Sequence, residues 1–271
     1  MPDIATLVPL VLILMAVGAF AGVLAGLLGV GGGIVLVPAF FYLFNGMGYG
    51  SDDLMQVCLA TSLATIIVTS ARSVLAHHRK GAVVWPILRA WAPGIALGAL
   101  VGVMVVAQLR TTTLQVIFGG LVFLISLYMA FGKTEWRLGD QMPGCLVRAA
   151  ISPVIGFLSV LMGIGGGSFG VPLMTLHGVA IHRAVATAAG FGITIALPSA
   201  IAFLLTPVEG APPYTVGAVN IPAFLIVIAM TTITAPLGAT LAHRLNARVL
   251  KRVFAGFLAI VALNMLRKAL F

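Results

Sequence analysis

Two stretches of the chain, GVGGGIVLVP at residues 29–38 and GIGGGSFGVP at residues 163–172, place a glycine triplet inside an apolar segment. The triplets are Gly31, Gly32 and Gly33 in the first and Gly165, Gly166 and Gly167 in the second. Each glycine weakens a helix by about 1 kcal/mol relative to alanine, so the segments are predicted to break there. A short helix starting just past the break aims its unpaired N–H groups and the positive end of its dipole back at the break, an arrangement suited to an anion. Close helix packing is the competing use of these glycines, because Gly22, Gly26 and Gly29 include the small-residue spacing that lets membrane helices approach. Packing accounts for Gly22 and Gly26 and leaves the triplets unexplained.

Hydroxyl and guanidinium groups extend this donor set. Thr61, Ser62, Thr65 and Thr69 lie in one apolar segment, Thr187 and Thr194 in another. Their hydroxyls can donate to an oxyanion, although Ser and Thr in membrane helices commonly bond the carbonyl four residues back. Arg72 and Arg89 flank the basic turn HHRK at residues 77–80. They are predicted to stand at similar depth on adjacent helices, where they would either draw an anion into a vestibule or reach lipid phosphates. His177 and His182, near the second triplet, read as solvated histidines.

The elements that position these groups must be membrane helices. The chain is 61% apolar and 8% charged, with a mean hydropathy of +1.18, far from soluble globular composition. Several windows of about 20 residues lack Asp and Glu, enough for a helix to cross a hydrocarbon core of roughly 30 Å, and the alternation of a lipid-facing barrel is missing. The first apolar segment follows MPDIAT without a basic leader or a small-residue cleavage site and is expected to be retained as a span. All six acids (Asp3, Asp52, Asp53, Glu135, Asp140 and Glu209) fall in loops or at a terminus. A midplane carboxylate relay is therefore not supported, and no metal or cofactor is expected. Cys58 and Cys145 do not make a disulfide framework. The net charge of +9 comes from short basic groups between spans, which fits the positive-inside bias rather than nucleic-acid binding.

The chain is internally duplicated. An offset of 134 pairs Gly22 with Gly156, Gly29 with Gly163, the two triplets with each other, and Pro38 with Pro172. An offset of 126 pairs LATSLATIIVTS from Leu59 with VATAAGFGITIA from Val185, and thereby Thr61 with Thr187. An offset of 136 pairs GAVVWP at Gly81 with GAVNIP at Gly217, Gly102 with Gly238, Phe118 with Phe254 and Gly120 with Gly256. The expected fold is thus an all-α polytopic membrane protein of two repeats, residues 1–131 and 146–271, joined by a cytoplasmic linker at 132–145. Each repeat is a glycine-broken hairpin followed by three spans: 54–77, 83–107 and 112–131 in the first, 184–206, 217–241 and 248–268 in the second. The returning helices are expected at 34–44 and 168–176. Basic loops at 77–80, 133–148 and 243–252 alternate with acid-only loops at 52–53 and 209, which orients the two repeats in opposite senses. Arg267 and Lys268 fall on the outer side in that arrangement and run against the charge bias.

Discontinuous helices at matching places in two repeats point to the midplane site of a secondary transporter. Two signatures of an intramembrane enzyme, HExxH and a pair of aspartates within the spans, are absent from the sequence. The paired glycine-rich segments, the duplication, the length and the LATS stretch resemble the sulfite exporter TauE/SafE family of bacterial membrane proteins over nearly the whole chain. That resemblance implies movement of a small sulfur-containing anion, such as sulfite, sulfoacetate or a related sulfonate, across the inner membrane. A channel, or a transporter of another small organic anion, would share the same donor chemistry. The second copy departs from the first at Ser159, where the first has Ala25, and at Gly170, where it has Leu36. Partners are expected to be the small anion and membrane lipids. The candidate binding set is the six triplet glycines with Thr61, Ser62, Thr187, Arg72 and Arg89.

Overall fold

Where hydrocarbon is the solvent, every backbone amide must bond within the chain, and a helix is the element that does so alone. The computed structural model describes residues 4–28, 32–132, 136–242 and 247–270. These form helices α1 (Ile4–Leu28), α2 (Gly33–Gly46), α3 (Leu54–Arg79), α4 (Trp85–Val106), α5 (Thr111–Phe131), α6 (Cys145–Leu161), α7 (Gly167–Leu176), α8 (Ile181–Leu204), α9 (Ile221–Ala242) and α10 (Ala247–Leu270). Five are long and apolar enough to cross a membrane: α3, α4, α5, α8 and, within α9, residues 221–238. At 1.5 Å per residue α2 and α7 reach only about 21 and 15 Å, half to two thirds of a crossing. The expected spans agree with α3 to α5 within two residues and with α8 to α10 within four.

The largest departure is at the head of α9. Residues 215–220 form a two-stranded antiparallel turn, β1 (Thr215–Val216) and β2 (Val219–Asn220), pairing Thr215 with Asn220 and Val216 with Val219. Pro212 and Pro213 bring no backbone N–H to this approach, and Gly217 takes φ 55° at the turn, pressed against the carbonyls of Phe203 and Leu204. The helix then starts at Ile221, with the Asn220 carboxamide oxygen accepting the Ala223 N–H at 3.1 Å.

Helices α3 and α8 pack on each other at the centre, flanked by α4 against α8 and α9 against α3. The outer pairs are α1 with α9, α4 with α6, and α5 with α10. On the periphery, apolar side chains are exposed in helical rows, as at Leu97, Leu100, Val101 and Met104 of α4, which is the surface a bilayer covers. Small residues set the close approaches. A Cβ added at Gly22 would lie 2.8 Å from Thr231 Cα on α9, and one at Gly156 2.8 Å from Ala99 N on α4. Gly238 meets Val23 of α1, and Gly102 meets Phe157 and Val160 of α6.

Two faces can be told apart by their bonds. On one, the Glu209 N–H donates to Asp53 Oδ2 at 3.0 Å, the Thr111 N–H donates to the Asp52 carbonyl at 2.7 Å, and Arg110 stands 3.9 Å from the Asp52 carboxylate. On the other, the Leu138 N–H donates to the Leu176 carbonyl at 2.8 Å, and a cavity of about 450 Å³ opens among Val84, Asp140, His177 and Arg183. Helix α1 runs parallel to α9, since Gly18 meets Val227 and Gly22 meets Thr231, so α1 descends from the Asp52 face and α2 returns to it. Helix α6 runs parallel to α4, with Gly94 beside Ser152 and Gly102 beside Val160, so α6 and α7 form a hairpin on the opposite face.

Candidate functional site

The two hairpins meet in the interior. Gly163 takes φ 58°, a left-handed conformation that ends α6, and its N–H bonds the Val160 carbonyl at 2.9 Å. Its carbonyl turns toward the other hairpin and accepts the Ser62 hydroxyl at 2.7 Å. A Cβ on Gly33, the first residue of α2, would collide with that same carbonyl and come within 3.0 Å of Ser62 Oγ. The start of α2, the middle of α3 and the break after α6 therefore share one buried spot. Gly32 precedes it with φ 74° and packs on the Ala21 carbonyl. Gly31 lies outside the described residues.

The second break carries unused polar groups. The N–H groups of Gly165, Gly166, Gly167 and Ser168 find no acceptor among the described residues. Ser159, one turn before the break, and Ser168, just after the triplet, are 0% and 8% exposed, and neither hydroxyl has a hydrogen-bond partner. A buried polar group without a partner costs about 1–3 kcal/mol, so the donors left over on either side of this break are candidates for binding a solute. Glycine is also required here sterically: a Cβ on Gly166 would overlap Phe191 Cβ and lie 3.0 Å from the Ala188 carbonyl. The unpartnered groups here are neutral donors, and the described carboxylates stand in the loops.

The matching threonines do something not foreseen from their spacing. Thr61 Oγ1 accepts the Asn220 N–H at 2.9 Å, and Thr187 Oγ1 accepts the Val84 N–H at 2.9 Å. Each thereby holds the head of a helix, α9 for Thr61 and α4 for Thr187. Thr187 also donates to the Arg183 carbonyl, and Thr69 and Thr194 bond back to Thr65 and Gly190, four residues earlier. Of the hydroxyls singled out from sequence, Ser62 is the one that reaches a break. Arg72 is exposed on α3, and Arg89 is exposed on α4 with its guanidinium 5.7 Å from the centre of the Trp85 ring. Helix α4 packs along α6 and α8, so these two arginines are not brought together along a shared helix interface. Ser168 was missed from sequence and Ser159 was visible only as a departure between copies; a hydroxyl on one side of a glycine break is the signal that marks both.

A bundle of apolar helices with two half-crossing hairpins that meet inside it has the build of an integral membrane transporter. A family model, Sulfite exporter TauE/SafE, matches residues 14–265, and the chain belongs to that family. It is 34% identical over 260 residues to a probable membrane transporter protein of Haemophilus influenzae, covering 95% of this chain and 98% of the relative. A probable membrane transporter protein of Methanocaldococcus jannaschii is 26% identical over 255 residues, covering 94% of each chain. One from Bacillus subtilis is 32% identical over 182 residues, 60% of this chain and 67% of the relative. No solved structure matches. The chain is accordingly a membrane transporter and not an enzyme.

Proposed function

We propose that the transported solute is a small oxyanion, sulfite or a small sulfonate, moved across the cytoplasmic membrane by alternating exposure of the site at the helix breaks. The observation that carries this reading is the set of unpartnered donors at 159–168, where Ser159 and Ser168 hydroxyls and the Gly165, Gly166 and Gly167 amides are buried next to the head of the other hairpin. Neutral N–H and O–H donors with no carboxylate beside them favour an anion over a cation. Gly32, Gly33 and Ser62 face the second break from the first hairpin, Ser62 through its bond to the Gly163 carbonyl, with Gly31 assigned to the same loop by sequence. Thr61 and Thr187 frame it by holding α9 and α4. Arg72 and Arg89 supply long-range attraction toward the face they stand nearest.

The two repeats, 1–131 and 146–271 with the linker 132–145 on the cytoplasmic side, are read as inverted copies. Supporting this, Thr61 bonds residue 220 and Thr187 bonds residue 84, positions related by the offset of 136 seen in the sequence. The hairpins opening on opposite faces support it as well.

Flux decides the function. Proteoliposomes holding the purified chain are expected to take up or release sulfite faster than empty liposomes, with a dependence on an imposed pH or Na⁺ gradient that names the coupling ion. Folded protein that moves no sulfur oxyanion would overturn the substrate class. Single cysteines at Ser51 and Pro212 are expected to label from outside the cell and those at Lys80 and Ala247 from inside; Ser51 and Lys80 labelling from one side would overturn the inverted topology.

A further inference from the structure

The Asp52 face carries a second basic feature away from the breaks. A cavity of about 560 Å³ lies between the ends of α2 and α10, lined by Tyr42, Asn264, Arg267 and Lys268. Asn264, Arg267 and Lys268 fall at i, i+3 and i+4 and share one face of α10. Lys268 Nζ lies 5.1 Å from the centre of the Phe41 ring and 5.4 Å from that of Tyr42, so two rings hold the ammonium against α2. Neither Arg267 nor Lys268 has a carboxylate partner among the described residues. The Tyr42 hydroxyl is buried and makes no hydrogen bond.

We propose that this cavity binds a phosphate-class oxyanion, delivered as the headgroup of an anionic phospholipid. Two cations, a carboxamide N–H₂ and an orphaned phenol O–H around one cavity offer donors to an oxyanion with no carboxylate among the lining residues, which suits a phosphodiester. The lipid is favoured over a soluble anion by what continues from the site: Ile260 and Leu263 precede Arg267 on the same helical stripe, at i, i+3 and i+7, and both are exposed. An acyl chain can lie along them while its headgroup meets Arg267 and Lys268. Snorkelling alone would need neither the cavity nor the buried hydroxyl. The site also explains why two cations without carboxylate partners stand on the face that carries Asp52, Asp53 and Glu209. Tyr42 is nine residues beyond Gly33, on the order of 13 Å along α2, so this is not the solute site.

The test is melting of the full chain in neutral detergent with phosphatidylglycerol, phosphatidylcholine, inorganic phosphate or sulfite. Phosphatidylglycerol is expected to raise the melting temperature, with phosphatidylcholine and the two soluble anions leaving it unchanged. Arg267→Gln with Lys268→Gln is expected to weaken the apparent affinity for phosphatidylglycerol about tenfold or more. Tyr42→Phe keeps the ring under Lys268 and loses only the hydroxyl, and is expected to weaken it several-fold with an unchanged lipid-free melting temperature. Equal stabilisation of parent and Tyr42→Phe, or equal effects of the two lipids, overturns the site. A shift with phosphate or sulfite that the variants lose, in the absence of one with phosphatidylglycerol, overturns the lipid and leaves a soluble-anion pocket. If the double variant does not fold, Tyr42→Phe decides alone.

Discussion

Ser159→Ala and Ser168→Ala are expected to give proteins that melt at or above the parent's temperature yet transport poorly. Both hydroxyls are buried without a partner, so removing them relieves a desolvation penalty and leaves packing intact. If each donates to the bound anion, its loss removes a hydrogen bond to a charged group, about 1.5–3 kcal/mol, or roughly ten- to a hundredfold in affinity. Stability and activity then move in opposite directions, which a purely structural serine cannot produce. Valine at Gly166 discriminates less well, because its Cβ overlaps Phe191 and damages the fold whether or not an anion binds. Transport and melting measured on the same purified serine variants check the point, and parental flux in both would remove these serines from the site.

How much of this was readable without coordinates depends on the distance over which each feature is set. The spans were legible because a bilayer demands long apolar helices, and apolar runs are local in sequence. The breaks were legible because consecutive glycines are poor helix formers wherever they fall. The bond from Ser62 to the Gly163 carbonyl joins residues 101 apart, and no local pattern carries it. Thr61 and Thr187 illustrate the intermediate case. Their equivalence was visible, but the partners, Asn220 and Val84, belong to the other half of the chain, and their role in holding helix heads emerges only when α3 and α8 cross. Arg72 and Arg89 were placed by counting turns from the HHRK loop, which gives depth along a helix and says nothing of which neighbour it faces. Arg267 and Lys268 were an irregularity of charge until Tyr42 and Phe41 stood beside them.

Leucine at Gly22 or at Gly156 is expected to prevent assembly of a stable bundle, and leucine at Gly120 or at Gly256 to leave it intact. The first two positions are related by the offset of 134 and the last two by 136, so the sequence assigns each pair one place in a repeated unit. The structure gives each pair one environment. A Cβ on Gly22 presses on the Thr234 hydroxyl and the Thr231 backbone, and one on Gly156 on the Ile95 carbonyl and the Ala99 N–H, and the backbone in each case cannot yield without parting the helices. Around Gly120 and Gly256 nothing stands within 4 Å of the added atom, so a leucine there extends into lipid and replaces a poor helix former with a good one. Overpacking costs about 1–3 kcal/mol where side chains can adjust and more where backbone blocks them, enough to cancel much of a marginal stability. Membrane helices have little hydrophobic drive to pair in hydrocarbon, so loss of close packing at α1–α9 or α4–α6 is not recovered elsewhere. Size-exclusion profiles and melting of the four purified variants give the answer. If the members of a pair behave oppositely, the two halves are not equivalent units, and the inverted-repeat reading of the transport mechanism goes with them.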